Sequence, residues 1–349
     1  MADNNYPKLH NATWPGVVGK GAPDSEAIIP LDTLLKLTAG AEVNGQKFDG
    51  VDLWLADPHI SIDSDKGAVR KMTDHIAGFG LKVGSFVAPI WGGAGGGSAM
   101  GDADDRKRFL SQVEKACRIG RQMREEGIRP TGGVRVDSST GVEAWDKDPV
   151  ANTKLIAETF REAGKIAQQY GEYIVAEGEI CWGGMHSWRE NVKLLEMVNM
   201  PGIVGYQADM AHSMLFVLGA NAEKDRILPA NFDWSDKAAL DAAYHKVADA
   251  LRPWTYDFHV AQNDGTTFGS GTHEKTGRHC QIDDPNGRLD VVKHAGYWLR
   301  NEQGDLTKKM RHICWDGCMF PNAVMEQQET WNKILGAMIK VRDAHGWRE

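Results

Sequence analysis

Four short apolar runs end in side chains that can bind a cation. They are Tyr173-Ile174-Val175-Ala176-Glu177-Gly178-Glu179, Ile203-Val204-Gly205-Tyr206-Gln207-Ala208-Asp209-Met210-Ala211-His212, Tyr256-Asp257-Phe258-His259-Val260 and His312-Ile313-Cys314-Trp315-Asp316. Each reads as a buried strand that delivers carboxylate or imidazole at its C-terminal end, and these are ligand groups for a divalent metal. Strand side chains alternate between faces, so Glu177 and Glu179 share one, as do His312, Cys314 and Asp316. Burying such groups unpaired costs several kcal/mol each, a cost that a shared cation removes. Two carboxylates, an Asp and a His suit one divalent ion, with Mn²⁺ the leading expectation and Mg²⁺, Co²⁺ or Zn²⁺ the alternatives, and with positions left open for two substrate oxygens.

Positioning four such strand ends around one ion requires a particular scaffold. Candidate strands are Thr13–Val18, Phe48–Leu55, Leu81–Pro89, Arg129–Asp137, Tyr173–Ile180, Gly202–Asp209, Tyr256–Asn263 and Arg311–Asp316. Helical patterns fall between them, near Asp65–Phe79, Asp104–Glu126, Ser187–Val198, Asp236–Leu251, Leu289–Leu299 and Val324–Ala344. The clearest helix follows Asp148-Pro149, an N-cap and first-turn proline, after which Ile156, Phe160, Ala163, Ala167 and Tyr170 form one apolar stripe. Strand and helix alternate with no break in composition, which predicts an α/β fold of the (β/α)8 TIM-barrel type, one domain over residues 1–349. An open doubly wound sheet would carry a Gly-rich dinucleotide turn after its first strand. The Gly92–Gly97 run lacks the Gly-Lys-Ser/Thr ending of a phosphate loop and is read as a mobile loop over the site. Ser213–Ser235 and Gly265–Gly287, after the sixth and seventh strands, are long connections of the kind that form lids or binding segments.

Composition narrows the function. Hydrophobic residues make up 42% and charged residues 25% of 349, as in a soluble protein, and no run is long enough for a membrane span. The polar start Met1-Ala2-Asp3-Asn4-Asn5 has no signal-peptide pattern, and a cytoplasmic protein is expected. A net charge of −8 argues against a nucleic-acid partner. Five cysteines suggest reduced thiols, and Cys314 and Cys318 have no second pair to complete a zinc-thiolate site.

Strand-end Glu on the fifth strand, Asp-x-x-His on the sixth, His on the seventh and a carboxylate on the eighth resemble the xylose isomerase-like TIM-barrel superfamily. That superfamily holds sugar epimerases, hydroxypyruvate isomerase, inosose dehydratases and endonuclease IV-type enzymes. The resemblance implies Glu177 as the fifth-strand ligand, with Glu179 its competitor, and Asp209, His259 and Asp316 as the other ligands. It implies a substrate-contacting or supporting role for His212, and substrate contacts from Arg278 and His279 ahead of the loop Asp283–Asp290. The sugar epimerases place Glu on both the fifth and eighth strands, where the two flank the reacting carbon. Here the eighth strand offers Asp316, one methylene shorter, which leaves room for another base among His279, His273 and His212.

Thr13-Trp14-Pro15-Gly16, Trp182-Gly183-Gly184-Met185-His186 and Gly277-Arg278-His279 are similar in kind to the catalytic α subunits of bacterial C-glycoside deglycosidases and to related proteins acting on 3-keto-sugars. The shared chemistry is proton abstraction next to a carbonyl through a metal-stabilised enediolate. Reprotonation gives an isomerase or epimerase of a sugar or keto-sugar, the leading expectation; β-elimination gives a lyase or deglycosidase on a 3-keto-glycoside, which would bring a small partner subunit. Glu177, Glu179, His279 and His212 are the catalytic candidates. Trp182, Trp91, Arg278, His273 and His59 are the substrate-binding candidates, with Trp54, Trp315 and Asp137 at the same face. The partner expected is a small carbohydrate, with a homo-oligomer open. A repair endonuclease would need many more His ligands and a basic groove, and a sugar-binding barrel would bind without turnover.

Overall fold

The first strand lies earlier than the apolar pattern predicts. In this computed structural model, which describes residues 7–269 and 274–347, β1 is Lys8–Ala12, and Thr13–Val18 instead turns through a short 3-10 segment at Trp14–Gly16. Pro15 has no N–H to give a ladder, so pairing ends before it. The strand itself is hidden in the sequence because two of its four buried residues, His10 and Asn11, are polar. His10 bonds Asp52 at 2.8 Å inside the barrel, and Asn11 donates to Thr38 at 2.9 Å on the other face.

Behind it come β2 (Gly50–Trp54), β3 (Lys82–Val87), β4 (Val134–Val136), β5 (Ile174–Glu177), β6 (Val204–Asp209) and β7 (Thr255–Val260). A hairpin of β8 (Thr267–Gly269) and β9 (Glu274–Gly277) stands apart, and β10 (His312–Trp315) completes the barrel. The order β1-β10-β7-β6-β5-β4-β3-β2 closes on itself, and every neighbouring pair in it is parallel. This is the TIM-barrel arrangement, in which the C-terminal strand ends share one face.

The helices are α1 (Leu31–Gly40), α2 (Lys66–Gly78), α3 (Ala103–Glu125), α4 (Val142–Trp145), α5 (Pro149–Tyr170), α6 (Trp188–Val198), α7 (Met210–Leu218), α8 (Lys237–Leu251), α9 (Val291–Leu299), α10 (Asn322–Met325) and α11 (Gln328–His345). α5 shows how local sequence sets an element. The Asp148 side chain accepts from Ala151 N, Pro149 opens the first turn, and Gly171 ends the helix at φ 70°. Ile156, Phe160, Ala163 and Ala167 are the stripe it buries against the barrel and α3. α7 occupies the start of what reads as a long loop after the sixth strand. Every residue of this helix from Met210 to Val217 is buried, so it has no polar face to give a periodic pattern.

Gly92–Gly97 is a hydrogen-bonded turn and not a free loop over the site: Gly95, Gly96 and Gly97 N–H groups donate to Gly92, Trp91 and Ile90. A Cβ at Gly96 would stand 1.9 Å from the Ile90 carbonyl oxygen, so glycine is required there. No described helix is long and apolar enough to cross a membrane.

Candidate metal centre and active site

Asp209 closes β6 and caps α7. Its Oδ1 accepts from Ala211 N at 2.7 Å and His212 N at 3.0 Å, which leaves Oδ2 free to point across the barrel mouth. His259 lies beside it, in register on β7. His259 Nδ1 stands 3.7 Å from Glu177 Oε1, 3.9 Å from Asp209 Oδ2 and 3.7 Å from Asp316 Oδ2. The four groups are buried, and their ligand atoms lie within 4.8 Å of one another.

Three of those atoms, Glu177 Oε1, Asp209 Oδ2 and His259 Nδ1, have no hydrogen-bond partner. Buried polar atoms without partners are costly, and here they face the same point. Ligands ~2.0–2.2 Å from a first-row divalent ion stand roughly 3–3.6 Å apart, so a small inward movement would complete the coordination. The residues therefore fit a divalent ion on donor chemistry and on placement. The other ring nitrogen of His259, Nε2, stands 3.8 Å from Asp257 and has no hydrogen-bond partner.

The remaining oxygens are held by the chain. Arg135 Nε donates to Glu177 Oε2 at 2.6 Å, its Nη2 to Glu179 Oε1 at 2.7 Å and its Nη1 to Asp137 Oδ2 at 2.9 Å. Trp14 Nε1 donates to Asp316 Oδ2 at 2.9 Å, and Cys318 N to Asp316 Oδ1 at 2.7 Å. Thr276, on the hairpin, donates to Glu179 Oε2 at 3.0 Å.

Burial, together with the neighbouring charges, sets the proton affinities. It pushes the Glu177 carboxyl up to about 8, beyond what Arg135 restores. For Glu179 burial acts in the same direction, but the His212 and Arg135 charges outweigh it and hold the carboxyl below its ordinary range. Burial is also outweighed at Asp209, held well below the carboxylate range by His212 and His279, and at His279, pushed up to about 9 by Asp316 and Asp209.

A cavity of about 210 Å³ opens above this cluster. Glu177, Glu179, Arg135, His212, Thr276 and Asp316 line its polar end, and Trp14, Trp54, Trp91 and Trp182 its mouth. Trp54 and Trp91 stack at 5.0 Å, and Trp91 and Trp182 at 6.4 Å. Trp91 is anchored by its Nε1 on Asp137, and Trp182 by its Nε1 on Glu179.

Most of the expected site residues gather here, and some do not. His212 stands 3.8 Å from both Glu177 Oε1 and Glu179 Oε2, and His279 sits behind it, 3.6 Å from Asp209. Asp137 binds Arg135 and Trp91 and belongs to none of the candidate metal clusters among the described residues. His59 lies elsewhere, bonded at 2.9 Å to the Ile29 carbonyl and packed near Gly16, so it does not reach substrate space. Arg278 is turned away and pairs with Asp264 at 2.6 Å. Trp315 points out of the barrel into the helix layer, because it is out of phase with Cys314 and Asp316. His273 lies outside the described residues.

Arg135 and Trp14 are the residues that strand-end reasoning passes over. A charged residue at an inward strand position two before Asp137 was the available signal for the first, and the Thr13–Gly16 motif for the second.

The family model described as xylose isomerase-like TIM barrel matches residues 41–297. The chain belongs to this family. Solved structures with the same fold include a D-tagatose 3-epimerase-like protein (11% identity, TM-score 0.59, 96% of this chain and 98% of that one). Another is a xylose isomerase-like TIM barrel protein from Mycobacterium smegmatis in complex with magnesium (14%, 0.60, 97% and 97%). A third is 3-keto-D-glucoside 4-epimerase from E. coli in its apo form (14%, 0.54, 95% and 98%). No curated protein matches the sequence. At these identities the solved structures establish the fold alone.

Proposed function

We propose that this protein is a divalent-metal-dependent isomerase or epimerase of a sugar or keto-sugar, acting by proton abstraction next to a carbonyl. The observation that carries the reading is the convergence of unpartnered Glu177 Oε1, Asp209 Oδ2 and His259 Nδ1 on one point, beside a cavity that Glu177, Asp316 and Glu179 line. That family neighbours include sugar epimerases, and one protein holding magnesium, agrees with it. Glu177, Asp209, His259 and Asp316 would hold the ion, with Mn²⁺ the first choice. Once bound, it supplies Lewis acidity toward a carbonyl and the hydroxyl beside it.

The chain's own residues do the rest. Glu179 offers Oε2 to the substrate carbon and takes the α-proton, being held ionised by Arg135 and His212. His212 orients the substrate oxygen next to it. Asp316 has both oxygens engaged by Trp14 and Cys318 and serves as a ligand, so one base on the fifth-strand side takes the proton and returns it to the neighbouring carbon, which is isomerisation; epimerisation needs a second proton donor on the opposite face of the substrate. Trp54, Trp91 and Trp182 cover the apolar face of the ring and exclude water.

A second reading is favoured by the mouth of the cavity. Four tryptophans with Val18 and Val87 are more apolar than a free sugar needs, and they suit a sugar carrying an apolar group. Such a substrate points to a lyase or deglycosidase that expels this group from a 3-keto-glycoside by β-elimination, with a small partner subunit sought by co-purification. Metal analysis of the purified protein, with solvent deuterium uptake into a panel of ketoses and 3-keto-glycosides, tests both. Deuterium at the carbon beside the carbonyl is expected, and released aglycone selects the second. A metal-loaded protein that exchanges no proton in any of them overturns both.

A further inference from the structure

Glu177 and Glu179 project to the same side of the barrel, and each has an oxygen 3.8 Å from His212 Nε2. Together with His212 they form a cluster in which all three ligand atoms lie within 4.8 Å of one another, beside the four-residue group that fits the ion. Glu179 is thus close enough to compete for the ion, and a carboxylate captured by a cation is a poor base. Something must keep the two glutamates in different roles.

We propose that Arg135 is the positioning residue that does so, by fixing one oxygen of each glutamate and leaving the other for a separate task. The inference rests on the metal-centre reading and deepens it. Arg135 is itself buried, and its three donor nitrogens go to three carboxylates: Nε to Glu177 Oε2, Nη2 to Glu179 Oε1 and Nη1 to Asp137 Oδ2. Only a planar guanidinium can reach three acceptors in one plane; an ammonium cannot reproduce that fork. With Oε2 bonded to Arg135, Glu177 turns its unpartnered Oε1 toward the ion. With Oε1 taken, Glu179 can turn only Oε2 toward the cavity, where Thr276 holds it at 3.0 Å.

The same fork fixes the aromatic wall. Trp91 hangs from Asp137 and Trp182 from Glu179, and the guanidinium lies 5.6 Å from the Trp91 ring. Arg135 therefore ties the base, a ligand and the surface that receives the sugar into one unit. β4 delivers it there by pairing Arg135 with Val175, two residues before Glu177.

The test reads the ion's coordinated water, not turnover alone. Mn²⁺ is bound to the unaltered protein and to Arg135→Ala, Glu179→Gln and the double variant, and affinity and water-proton relaxivity are measured. Glu179→Gln alone should leave Mn²⁺ affinity unchanged. Arg135→Ala should bind Mn²⁺ at least as tightly as the unaltered protein but lose one coordinated water, as Glu179 swings onto the ion. Adding Glu179→Gln should restore that water, which a merely structural arginine would not predict. Deuterium exchange should fall ~100-fold or more in Arg135→Ala and recover in part with added guanidinium. Should Arg135→Ala fail to fold, Arg135→Lys decides, with the same loss of water expected. A water count that ignores residue 135, or weaker Mn²⁺ binding on Glu179→Gln, overturns the inference while leaving the metal centre standing. Absence of Mn²⁺ binding by the unaltered protein overturns both.

Discussion

Two clusters of buried carboxylate and imidazole lie along the barrel axis, and they are built from the same residue types. In the lower one Asp52 sits between two histidines, with Oδ1 2.8 Å from His10 Nδ1 and Oδ2 3.1 Å from His312 Nε2. Asp257 stands 3.5 Å from His312, and the backbone at Gly84 packs so closely that a Cβ there would fall 2.2 Å from Asp52 Oδ1. The upper cluster of Glu177, Asp209, His259 and Asp316 keeps three polar atoms unpartnered and opens to a cavity. Residue type alone does not distinguish an ion site from a structural network. What separates them is that histidines take both oxygens of Asp52 below, whereas above three unpartnered ligand atoms converge on one point beside a cavity.

The largest effect is expected below. Asp52→Ala strips buried His312 of its counter-charge and His10, whose protonation burial and His312 disfavour, of its hydrogen-bond partner, and should cost about 3–5 kcal/mol of stability, measured by denaturant unfolding, with Mn²⁺ affinity in the folded protein unchanged. A large loss of metal binding would show that the two clusters act as one. Above, Asp209→Asn can still cap α7 but cannot serve as an anionic ligand. Mn²⁺ affinity should fall at least ~100-fold by titration calorimetry with little change in unfolding, whereas Asp209→Ala should also lose about 1 kcal/mol of stability with the cap. Trp14→Phe removes the donor to Asp316 without altering the ligand set, and a loss of ~10-fold in Mn²⁺ affinity is expected.

The smallest effect is in pH. Burial opposes charge on His312, but Asp52 and Asp257 outweigh it, and the imidazole is pushed up to about 9. A raised folded pKa means the stabilisation is fully present below the unfolded value of 6.5 and is lost as pH rises through about 9. The stability difference between the unaltered protein and His312→Gln should therefore shrink across that window. A difference that grows with pH would contradict the assignment of charge to His312.

Much of the scaffold was legible because burial imposes a period. Strands with apolar runs and helices with one apolar stripe, α5 above all, declare themselves in the residue order. Three features did not. β1 buries His10 and Asn11 among polar partners that lie tens of residues away, so no local pattern marks it. α7 is enclosed on every side and shows no contrast between faces. His59 and Arg278 have the right chemistry for a sugar site, yet Ile29 and Asp264 hold them elsewhere.

The sequence by itself determined which chemical groups stand at the strand ends and that strands and helices alternate, because residue type, alternation and helical period are local properties. Only the tertiary structure decided how those groups divide their labour. Arg135 reaches from β4 to Glu177 and Glu179 on the β5 side, and Trp14 crosses from the end of β1 to Asp316 after β10. Such contacts exist only once the sheet has closed, since closure alone brings distant strand ends within hydrogen-bonding reach.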